Sequence, residues 1–435
     1  MRADLARALA GGYLAGQWSR AGLLASGAEV VGRRARWLGP LARQVLELYP
    51  RPPHDRPREL ADLIRTRPAA ERAAGAGPIR HPLAGTRMVR NPWRLVALHD
   101  LVDLRDLFGL TDAELDWFSD RRRWARLADS PVQHYRHSSR VAPSGAIRVL
   151  EAPKPRLKWL QRQLLADLLG KIPTHDAAHG FRSGRSVASY AAPHAGQQVL
   201  VRMDLEGFFA AVGVGRVYGI FRTAGYPEPV AHALAGLTTT VLPLAVWRRL
   251  PTPSDPRLLD AHWRLGRRLA APHLPQGAPT SPGLANLAAF RLDVRLTALA
   301  ESWGGRYTRY ADDLAFSGGR SWLRGTSRIL DLVEQVVRDE GFRVNHRKTA
   351  VQPRAGRQLL GGLVVNDRPR VPRPEVDRLK AILHHCVRDG PSGQNRDART
   401  DFRLHLTGRV GWVAQHDPAR GARLAEQLAQ VDWSR

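Results

Sequence analysis

Apolar residues recur at helical spacing near both ends of the chain. Over residues 5–31 and again over 33–48 they return every three or four positions, which predicts two helices. From residue 374 onward, the same spacing predicts a mainly helical segment. The chain is therefore expected to begin and end in helices, with a different pattern between them.

The middle of the chain mixes short extended runs with longer periodic ones. Thr111 and Glu114 have the spacing of a capping box, which predicts that a short helix starts after Thr111. Apolar runs between turn residues predict strands, and amphipathic stretches predict helices. The predicted elements are a hairpin over 135–150 with its turn at 143–145, a helix over 154–172, a strand over 199–204, a helix over 282–299, a hairpin over 305–318, a helix over 326–341 and short strands over 342–372.

Length and element order indicate the fold class and the domain organisation. A chain of 435 residues with 43% hydrophobic residues is too long for one compact core and can build several subdomains. Helices and strands both occur, so the predicted class is α+β. We expect a helical, basic N-terminal extension over 1–95, a central region over 96–372 and a helical region over 373–435.

Charge and cysteine content narrow the choice of partners and compartment. The formal net charge of +27 and a pI near 11.4 indicate a polyanionic partner, with nucleic acid as the first candidate. Cys386 is the single cysteine of the sequence, which argues against a disulfide framework or a cysteine zinc module and fits a reducing cytoplasm. Residues 1–18 are predicted to form a helix rather than a signal peptide, and no membrane contact is expected.

Three carboxylates stand where predicted strands end. Asp312 and Asp313 are adjacent at the tip of the hairpin over 305–318, and Asp204 closes the strand over 199–204. An exposed acidic turn and a strand-terminal cap are the alternative interpretations. If both elements share a sheet, the carboxylates can hold two Mg²⁺ ions for in-line attack of a hydroxyl on a phosphoryl group. That chemistry is typical of a nucleotide polymerase.

A glycine-containing loop precedes the helix predicted over 282–299. In the loop 276–282, Gly277 lets the backbone approach a base or sugar closely, and the helix start offers free N–H groups to phosphate. An ordinary loop-to-helix junction would explain Ser281 and Pro282 but not the whole string.

The ordered set of motifs resembles the reverse transcriptases, and most of all the bacterial retron type. The resemblance runs from about residue 91 to 433 and implies a right-hand polymerase with fingers, palm and thumb. The motifs that carry it are residues 147–158, 179–186, 204–209, 276–282, the Tyr310-Ala311-Asp312-Asp313 string, 341–349 and 362–366.

The resemblance assigns roles at the carboxylates. It implies metal binding by Asp204, Asp312 and Asp313, with the Leu205 carbonyl as a further ligand. It also implies that Lys348 protonates the departing pyrophosphate, although a solvated surface lysine is the alternative.

Substrate and nucleic-acid contacts are also implied by the resemblance. Arg148 would grip the triphosphate, Phe209 would exclude a 2′-hydroxyl unless it is ordinary palm packing, and Gln276 would contact the nascent pair. Gly277 and Tyr310 are expected to contact substrate as well. The residues expected to touch nucleic acid are Lys154, Arg156, Lys158, Arg182, Arg185, His194 and Gly362.

Some positions depart from the family pattern. Ala142 stands where a second finger lysine is common, so either Arg140 or another basic residue replaces it or the affinity for the triphosphate is lower. The tract ending at His194 and the tract at Leu360-Gly361-Gly362 differ from the strings that retron enzymes usually carry. The insert over 243–274, rich in Arg and Trp, is either a contact to RNA or a variable loop.

The implied function is RNA-directed DNA synthesis on a structured non-coding RNA. In the retron type that RNA is template and also primer, the product is a branched RNA–DNA molecule, and the role is anti-phage defence. The implied partners are the RNA–DNA duplex, dNTPs, a host RNase H and an effector protein, in the bacterial cytoplasm. Alternatives are another bacterial reverse transcriptase, defence-associated or group II intron-like, and a non-catalytic RNA-binding scaffold.

Overall fold

The computed structural model describes residues 2–68, 79–82, 84–129, 131–142 and 145–434. Within this part of the chain, helices dominate the two ends and strands occur only from residue 135 to 364. The helices are α1 Ala3–Ala15, α2 Arg20–Val31, α3 Leu38–Leu48, α4 Pro57–Thr66, α5 Leu101–Leu107, α6 Asp112–Ser119, α7 Pro155–Asp167, α8 Val187–Ala191, α9 Val214–Thr223, α10 Glu228–Thr238, α11 Leu244–Trp247, α12 Pro256–Leu269, α13 Ser281–Ala288, α14 Phe290–Ser302, α15 Arg320–Asp339, α16 Arg373–Asp389, α17 Phe402–His416 and α18 Pro418–Ala429.

The strands are short and antiparallel. They are β1 Tyr135–Val141, β2 Ile147–Pro153, β3 Val199–Asp204, β4 Arg306–Tyr310, β5 Asp313–Gly318, β6 Ala350–Pro353, β7 Leu359–Leu360 and β8 Leu363–Val364. The α+β class is confirmed, whereas the fingers, palm and thumb arrangement stays a prediction. None of the helices described is long and apolar enough to cross a membrane.

The chain divides into two compact units. The first unit comprises Met1–Pro173 and Phe209–Ala288, and the second comprises Thr174–Phe208 and Ala289–Arg435. The predicted region boundaries at 95 and 372 stay a prediction.

In the first unit, α1–α4 enclose a core of their own. Its fully buried side chains include Leu9, Leu23 and Leu41. The single helix predicted over 5–31 is wrong, because the chain leaves helical geometry after α1 and starts again at Ser19. The Ser19 hydroxyl accepts a hydrogen bond from the Gly22 N–H at 3.1 Å, which caps α2.

A buried polar network ties α4 to α9 and α10 within the same unit. The Glu228 carboxylate accepts hydrogen bonds from the backbone N–H groups of Arg58 at 2.7 Å and Glu59 at 3.2 Å. Arg222 donates to Asp55 at 2.9 Å. Acceptors at a helix start satisfy donors that have no partner inside the helix, so this network anchors the N-terminal helices.

The predicted hairpin over 135–150 is present as β1 and β2. The register sets Arg140 directly opposite Arg148, and Ile147 and Val149 are buried against Leu242 and Leu269. Of the predicted turn, Pro143 and Ser144 lie outside the described residues. The capping box is confirmed, because Thr111 and Glu114 satisfy each other's backbone N–H at the start of α6.

The second unit is built on a four-stranded sheet. Its strand order is β4-β5-β3-β6, so β3 lies between β5 and β6 although β5 follows it in the chain by more than a hundred residues. Leu200, Leu314 and Phe316 are fully buried, as expected for central strands. The sheet therefore brings the end of β3 beside the start of β5.

Two helices stand where one was predicted over 282–299. They are α13, in the first unit, and α14, in the second, with Ala289 between them at φ −86° and ψ 3°. The apolar spacing continues through Ala289, so periodicity alone could not locate the break. The helical end of the chain is confirmed, because α16–α18 pack around the buried residues Leu379, Leu383, Leu406 and Val410.

Candidate active site

The register of the central sheet places the predicted carboxylates side by side. β3 pairs with β5 so that Asp204 lies opposite Asp313, the last residue of one strand facing the first of the other. The N–H of Leu205 donates to the Asp312 carbonyl at 2.9 Å, which continues the pairing one step beyond the strands. Residues more than a hundred positions apart thus meet at one end of the sheet.

Asp312 lies in the two-residue turn that joins β4 to β5. Tyr310 pairs with Asp313, so only Ala311 and Asp312 connect the strands. Ala311 has φ +56°, a left-handed conformation that hairpin turns of this length require and that costs a residue with a side chain about 1–2 kcal/mol. The turn is packed tightly, because a Cβ placed on Gly180 would lie 2.6 Å from the Ala311 nitrogen.

The segment after α15 holds Asp204 from the other side. The Lys348 ammonium donates to Asp204 Oδ2 at 2.8 Å, and the Asn345 side-chain amide donates to Oδ1 at 3.1 Å. The Asn345 N–H also donates to the Asp204 carbonyl at 2.7 Å. With its side chain only 6% exposed, Asp204 has both carboxylate oxygens bonded and is fixed in place.

The electrostatics of the site resist the ionisation of the turn carboxylates. Burial, reinforced by the negative charges of Asp204 and Asp313, raises the pKa of Asp312 to about 6, and the Lys348 ammonium opposes the rise. Burial also raises the pKa of Asp313, against the positive charge of Arg202. Like charges crowded in a desolvated position are a strong reason to expect cations there.

The donor set suits a hard divalent cation. Mg²⁺ prefers carboxylate oxygens and usually binds through one or two of them together with substrate phosphates and water. As the described side chains stand, no three acidic, histidine or cysteine groups come close enough to hold a metal ion unaided. Asp204 is engaged by Lys348 and Asn345. Because Mg²⁺ usually takes only one or two carboxylates together with substrate phosphates, the residues fit a site that substrate phosphates complete.

In the first unit, a buried pair fixes the loop that contains Gln276. His273 Nε2 lies 2.8 Å from Glu151 Oε2, and both side chains are 1% exposed. The Glu151 N–H donates to the Gln276 carbonyl at 2.8 Å, which ties the loop to β2, the strand of Arg148. Gly277 is exposed with φ +122°, a conformation that glycine adopts readily.

The predicted substrate residues of this unit are accessible. Arg148 is exposed, and Gln276 and Phe209 are partly exposed. Arg148, Phe209, Gln276 and Gly277 belong to the first unit, whereas the carboxylates and Lys348 belong to the second.

The predicted nucleic-acid contacts are mostly exposed or partly exposed basic residues. Arg182 and Arg185 both pair with Asp176, at 3.2 and 3.4 Å. The Lys154 ammonium donates to the Pro131 carbonyl at 2.8 Å, the Arg156 guanidinium lies 4.8 Å from the Trp159 ring centre, and Lys158 is exposed. Gly362 is exposed in the turn between β7 and β8, with φ +83° after φ +57° at Gly361, as a two-residue hairpin turn needs.

The prediction that His194 touches nucleic acid is wrong. Its side chain is fully buried, with Nδ1 2.7 Å from the Ser317 hydroxyl and Nε2 2.7 Å from the Thr308 hydroxyl. Burial lowers the pKa of His194 to about 3, so the ring is neutral and cannot attract phosphate. It joins β4 to β5 as an internal bridge.

Sequence reasoning missed residues that position the carboxylates, either directly or through the backbone of the turn. Asn345 lies in the motif 341–349, yet no role was predicted for its contact with Asp204. Arg309 and Asp293 form a fully buried ion pair at 2.6 Å directly before the turn. A charged residue at an inward strand position was the available signal, because such a residue needs a buried partner.

Known proteins match most of the chain. Residues 138–362 match the reverse transcriptase (RNA-dependent DNA polymerase) family, a domain that implies a divalent-metal-dependent polymerase. The chain is 41% identical over 296 residues to the retron Mx65 reverse transcriptase of Myxococcus xanthus, covering 68% of this chain and 64% of that protein. It is 37% identical over 352 residues to the retron Mx162 reverse transcriptase of the same organism, covering 78% of this chain and 68% of the relative.

A more distant relative gives the same result. The retron Ec86 reverse transcriptase of Escherichia coli is 29% identical over 291 residues, covering 67% of this chain and 78% of that protein. The chain thus spans slightly less than two thirds of the first of these relatives and slightly more of the second. The family match covers more than half of the 435 residues and includes the carboxylates, so the chain belongs to the reverse transcriptase family and, within it, to the retron type.

Proposed function

We propose that the chain copies a structured non-coding RNA into DNA, using that RNA as template and as primer. The observation that carries the proposal is the pairing of Asp204 with Asp313 at the end of the sheet, with Asp312 in the adjoining turn. Asp204, Asp312, Asp313 and the Leu205 carbonyl would hold two Mg²⁺ ions. A bound pair of such ions stabilises the attacking and leaving oxygens of an in-line phosphoryl transfer.

Lys348 is proposed to act as the proton donor of the reaction. Its ammonium is 2.8 Å from Asp204, and its side chain is 48% exposed, so it stands at the carboxylates and remains open to a substrate. A positioned ammonium can neutralise the developing charge of the pyrophosphate and give it a proton. Tyr310, which pairs with Asp313 in the sheet, is proposed to contact the substrates from the hairpin.

Arg148 and Arg140 are proposed to grip the triphosphate together. They face each other across β1 and β2, and residues directly opposite in an antiparallel pair point to the same side. Both side chains are exposed. Ala142 occupies the position where related enzymes commonly have a lysine. The arrangement supports Arg140 as its replacement, because guanidinium groups bind phosphate oxygens well.

The other first-unit residues are proposed to select and seat the nucleotide. Phe209 would exclude a 2′-hydroxyl, and Gln276 with Gly277 would contact the nascent pair. The buried link from Glu151 to the Gln276 carbonyl supports this, because it holds the loop in one conformation.

The partner and product are proposed from the retron relatives. The net charge of +27 supports binding to a folded RNA and to the RNA–DNA duplex through the exposed basic side chains. We propose a branched RNA–DNA product and a role in anti-phage defence, with a host RNase H removing template RNA and an effector protein acting alongside.

Labelled dNTP incorporation by the purified protein with its co-purified RNA tests the proposal. The wild-type chain should extend the RNA, and Asp312→Asn should not, whereas Asp331→Asn, which changes an exposed carboxylate on α15, should match the wild type. Sequencing the product should show DNA joined to the RNA that served as its template. Equal incorporation by wild type and Asp312→Asn would refute the assignment of the carboxylates.

A further inference from the structure

A fully buried ion pair lies directly behind the catalytic turn. Arg309 on β4 donates through Nη2 to Asp293 Oδ2 at 2.6 Å and through Nε to Asp293 Oδ1 at 2.8 Å. Neither side chain has any exposed surface. A buried pair of this kind is weak evidence for stability, because desolvating two charges offsets most of their attraction. We therefore expect the Arg309–Asp293 pair to have a role other than stabilising the fold.

The third donor of Arg309 points to the turn itself. Its Nη1 donates to the Ala311 carbonyl at 3.0 Å, between the left-handed Ala311 and the carboxylate of Asp312. A guanidinium offers donors in a fixed planar fork, so the contacts to Asp293 set the direction of the bond to Ala311. A strained conformation persists only where its surroundings over-determine it, and this bond is one such restraint.

Other contacts hold Arg309 in its place. Its N–H donates to the Ala177 carbonyl at 2.7 Å, and its own carbonyl accepts from the His179 N–H at 2.8 Å. Asp293 in turn accepts from the Tyr307 hydroxyl at 2.8 Å. The segment around residue 178 thus holds the backbone of Arg309, while Asp293 on α14 holds its guanidinium.

We infer that Arg309 and Asp293 are positioning residues for DNA synthesis, which fix the Ala311 carbonyl and so aim the Asp312 and Asp313 carboxylates at the reacting phosphates. The inference rests on the proposed polymerase function and adds to it two residues that touch neither substrate nor metal. In this role the buried ion pair sets the geometry of the turn rather than stabilising the unit.

The decisive variant removes both charges and keeps the fold. In Arg309→Met with Asp293→Asn, no charge is left buried alone, and the amide oxygen can still accept from Tyr307. The Ala311 carbonyl loses its donor. We expect the kcat for dNTP incorporation to fall by about 10–100-fold while the KM for dNTP stays unchanged, as for a displacement of about 1 Å in reacting groups.

The matched control removes an ion pair from the same helix. Arg295 on α14 donates to Glu340 at 3.0 Å, away from the turn, and Arg295→Met with Glu340→Gln should change thermal stability without changing kcat. A second test variant, Arg309→Lys, keeps a positive charge beside Asp293 but loses the planar fork of donors. It should show the same kcat defect, and it provides the test if the double variant does not fold.

Hydrogen exchange gives a readout that does not depend on activity. Amide exchange over residues 310–314 should accelerate in both Arg309 variants and stay at the wild-type rate in the control. Wild-type kcat and exchange in the Arg309 variants, or an equal change in the control, would overturn the inference. Absence of incorporation by the wild type would instead refute the proposed function. The exchange rates would still show whether Arg309 holds the turn.

Discussion

The carboxylate turn and the β1–β2 hairpin hold their functional side chains in opposite ways. Asp204 has both oxygens bonded at 2.8 and 3.1 Å, and the turn beside it is set by the buried Arg309. Arg148 and Arg140 are exposed side chains on a hairpin that is held by its strand pairing. We expect the groups proposed to face the reacting atoms to need preorganisation, whereas the groups proposed to capture the triphosphate need to move. Changes to the first should lower kcat, and changes to the second should raise KM.

The largest effect is expected at the turn. Asp313→Asn should lower the kcat for dNTP incorporation by at least about 10³-fold, because a divalent cation site contributes several kcal/mol to the barrier. The fold should survive, since the substitution removes a charge whose burial is unfavourable. Activity and circular dichroism on the same sample check both parts. A kcat within tenfold of wild type would contradict the proposed role of Asp313 in metal binding.

The second effect is expected at Lys348. Lys348→Met should lower kcat by about 10²-fold, in the range typical of a lost general acid, with the KM for dNTP little changed. Lys171→Met, which changes an exposed lysine in the first unit, is the matched control. Steady-state kinetics with dNTP as the varied substrate measure both, and a pure KM effect would place Lys348 among the capturing residues instead.

The third effect should appear in KM. Arg148→Ala should raise the KM for dNTP by about 10-fold or more, since a hydrogen bond to a charged group contributes about 1.5–3 kcal/mol. Arg140→Ala should act in the same direction. The double variant then shows whether the two side chains bind one triphosphate, because their effects would be less than additive. A loss of kcat with unchanged KM would contradict the role given to the hairpin.

A stability effect is expected at the internal histidine of the sheet. His194→Phe leaves the Ser317 and Thr308 hydroxyls without their ring partners and should lower the free energy of unfolding by about 2 kcal/mol at pH 7.5. RNA binding at low temperature should be unchanged. Urea unfolding and filter binding measure the two quantities, and an RNA-binding defect with full stability would reverse the conclusion that His194 is structural.

The same histidine predicts a pH dependence. Burial lowers its pKa from the usual 6.5 to about 3, so the unfolded chain takes up the proton first as the pH falls. Its contribution to stability is therefore complete above pH 6.5 and is lost progressively as the pH falls from 6.5 towards 3. The difference in the free energy of unfolding between wild type and His194→Phe should be about 1 kcal/mol smaller at pH 5.5 than at pH 7.5. A difference that does not become smaller would contradict the buried, neutral ring.

The smallest effect is expected at Ala311. Ala311→Gly relieves a left-handed conformation but loses one buried methyl group, so the free energy of unfolding should rise by less than about 1 kcal/mol. The kcat should stay near wild type, because Arg309 still holds the carbonyl. Denaturant unfolding and steady-state kinetics check this. A large fall in kcat would show that the side chain, rather than the bonded carbonyl, sets the turn.

Much of the fold could be predicted from local signals. The strand that ends at Asp204, the hairpin that carries Asp312 and Asp313, and the capping box at Thr111 each have a chemical signature within a few residues. The break at Ala289 has none, because the apolar spacing is continuous through it. The join between α1 and α2 was missed although Gly16 and Ser19 mark it.

The sequence could predict those residues of the site that lie within recognisable motifs. The motifs name Asp204, Asp312, Asp313 and Lys348, but the partners that hold them depend on pairing between distant segments. Whether a histidine faces solvent or the core, as at His194, depends on the same long-range packing. Such contacts have no local sequence pattern, which is why the Arg309–Asp293 pair emerged only from the structure.

The location of bound Mn²⁺ would show whether Asp204, Asp312 and Asp313 form one metal site. Crystals of the protein with RNA–DNA duplex and a non-hydrolysable dNTP analogue, soaked in Mn²⁺, would reveal the metal by anomalous diffraction. We expect anomalous peaks in contact with the carboxylates of Asp204, Asp312 and Asp313. Peaks elsewhere, with those carboxylates free of metal, would contradict it.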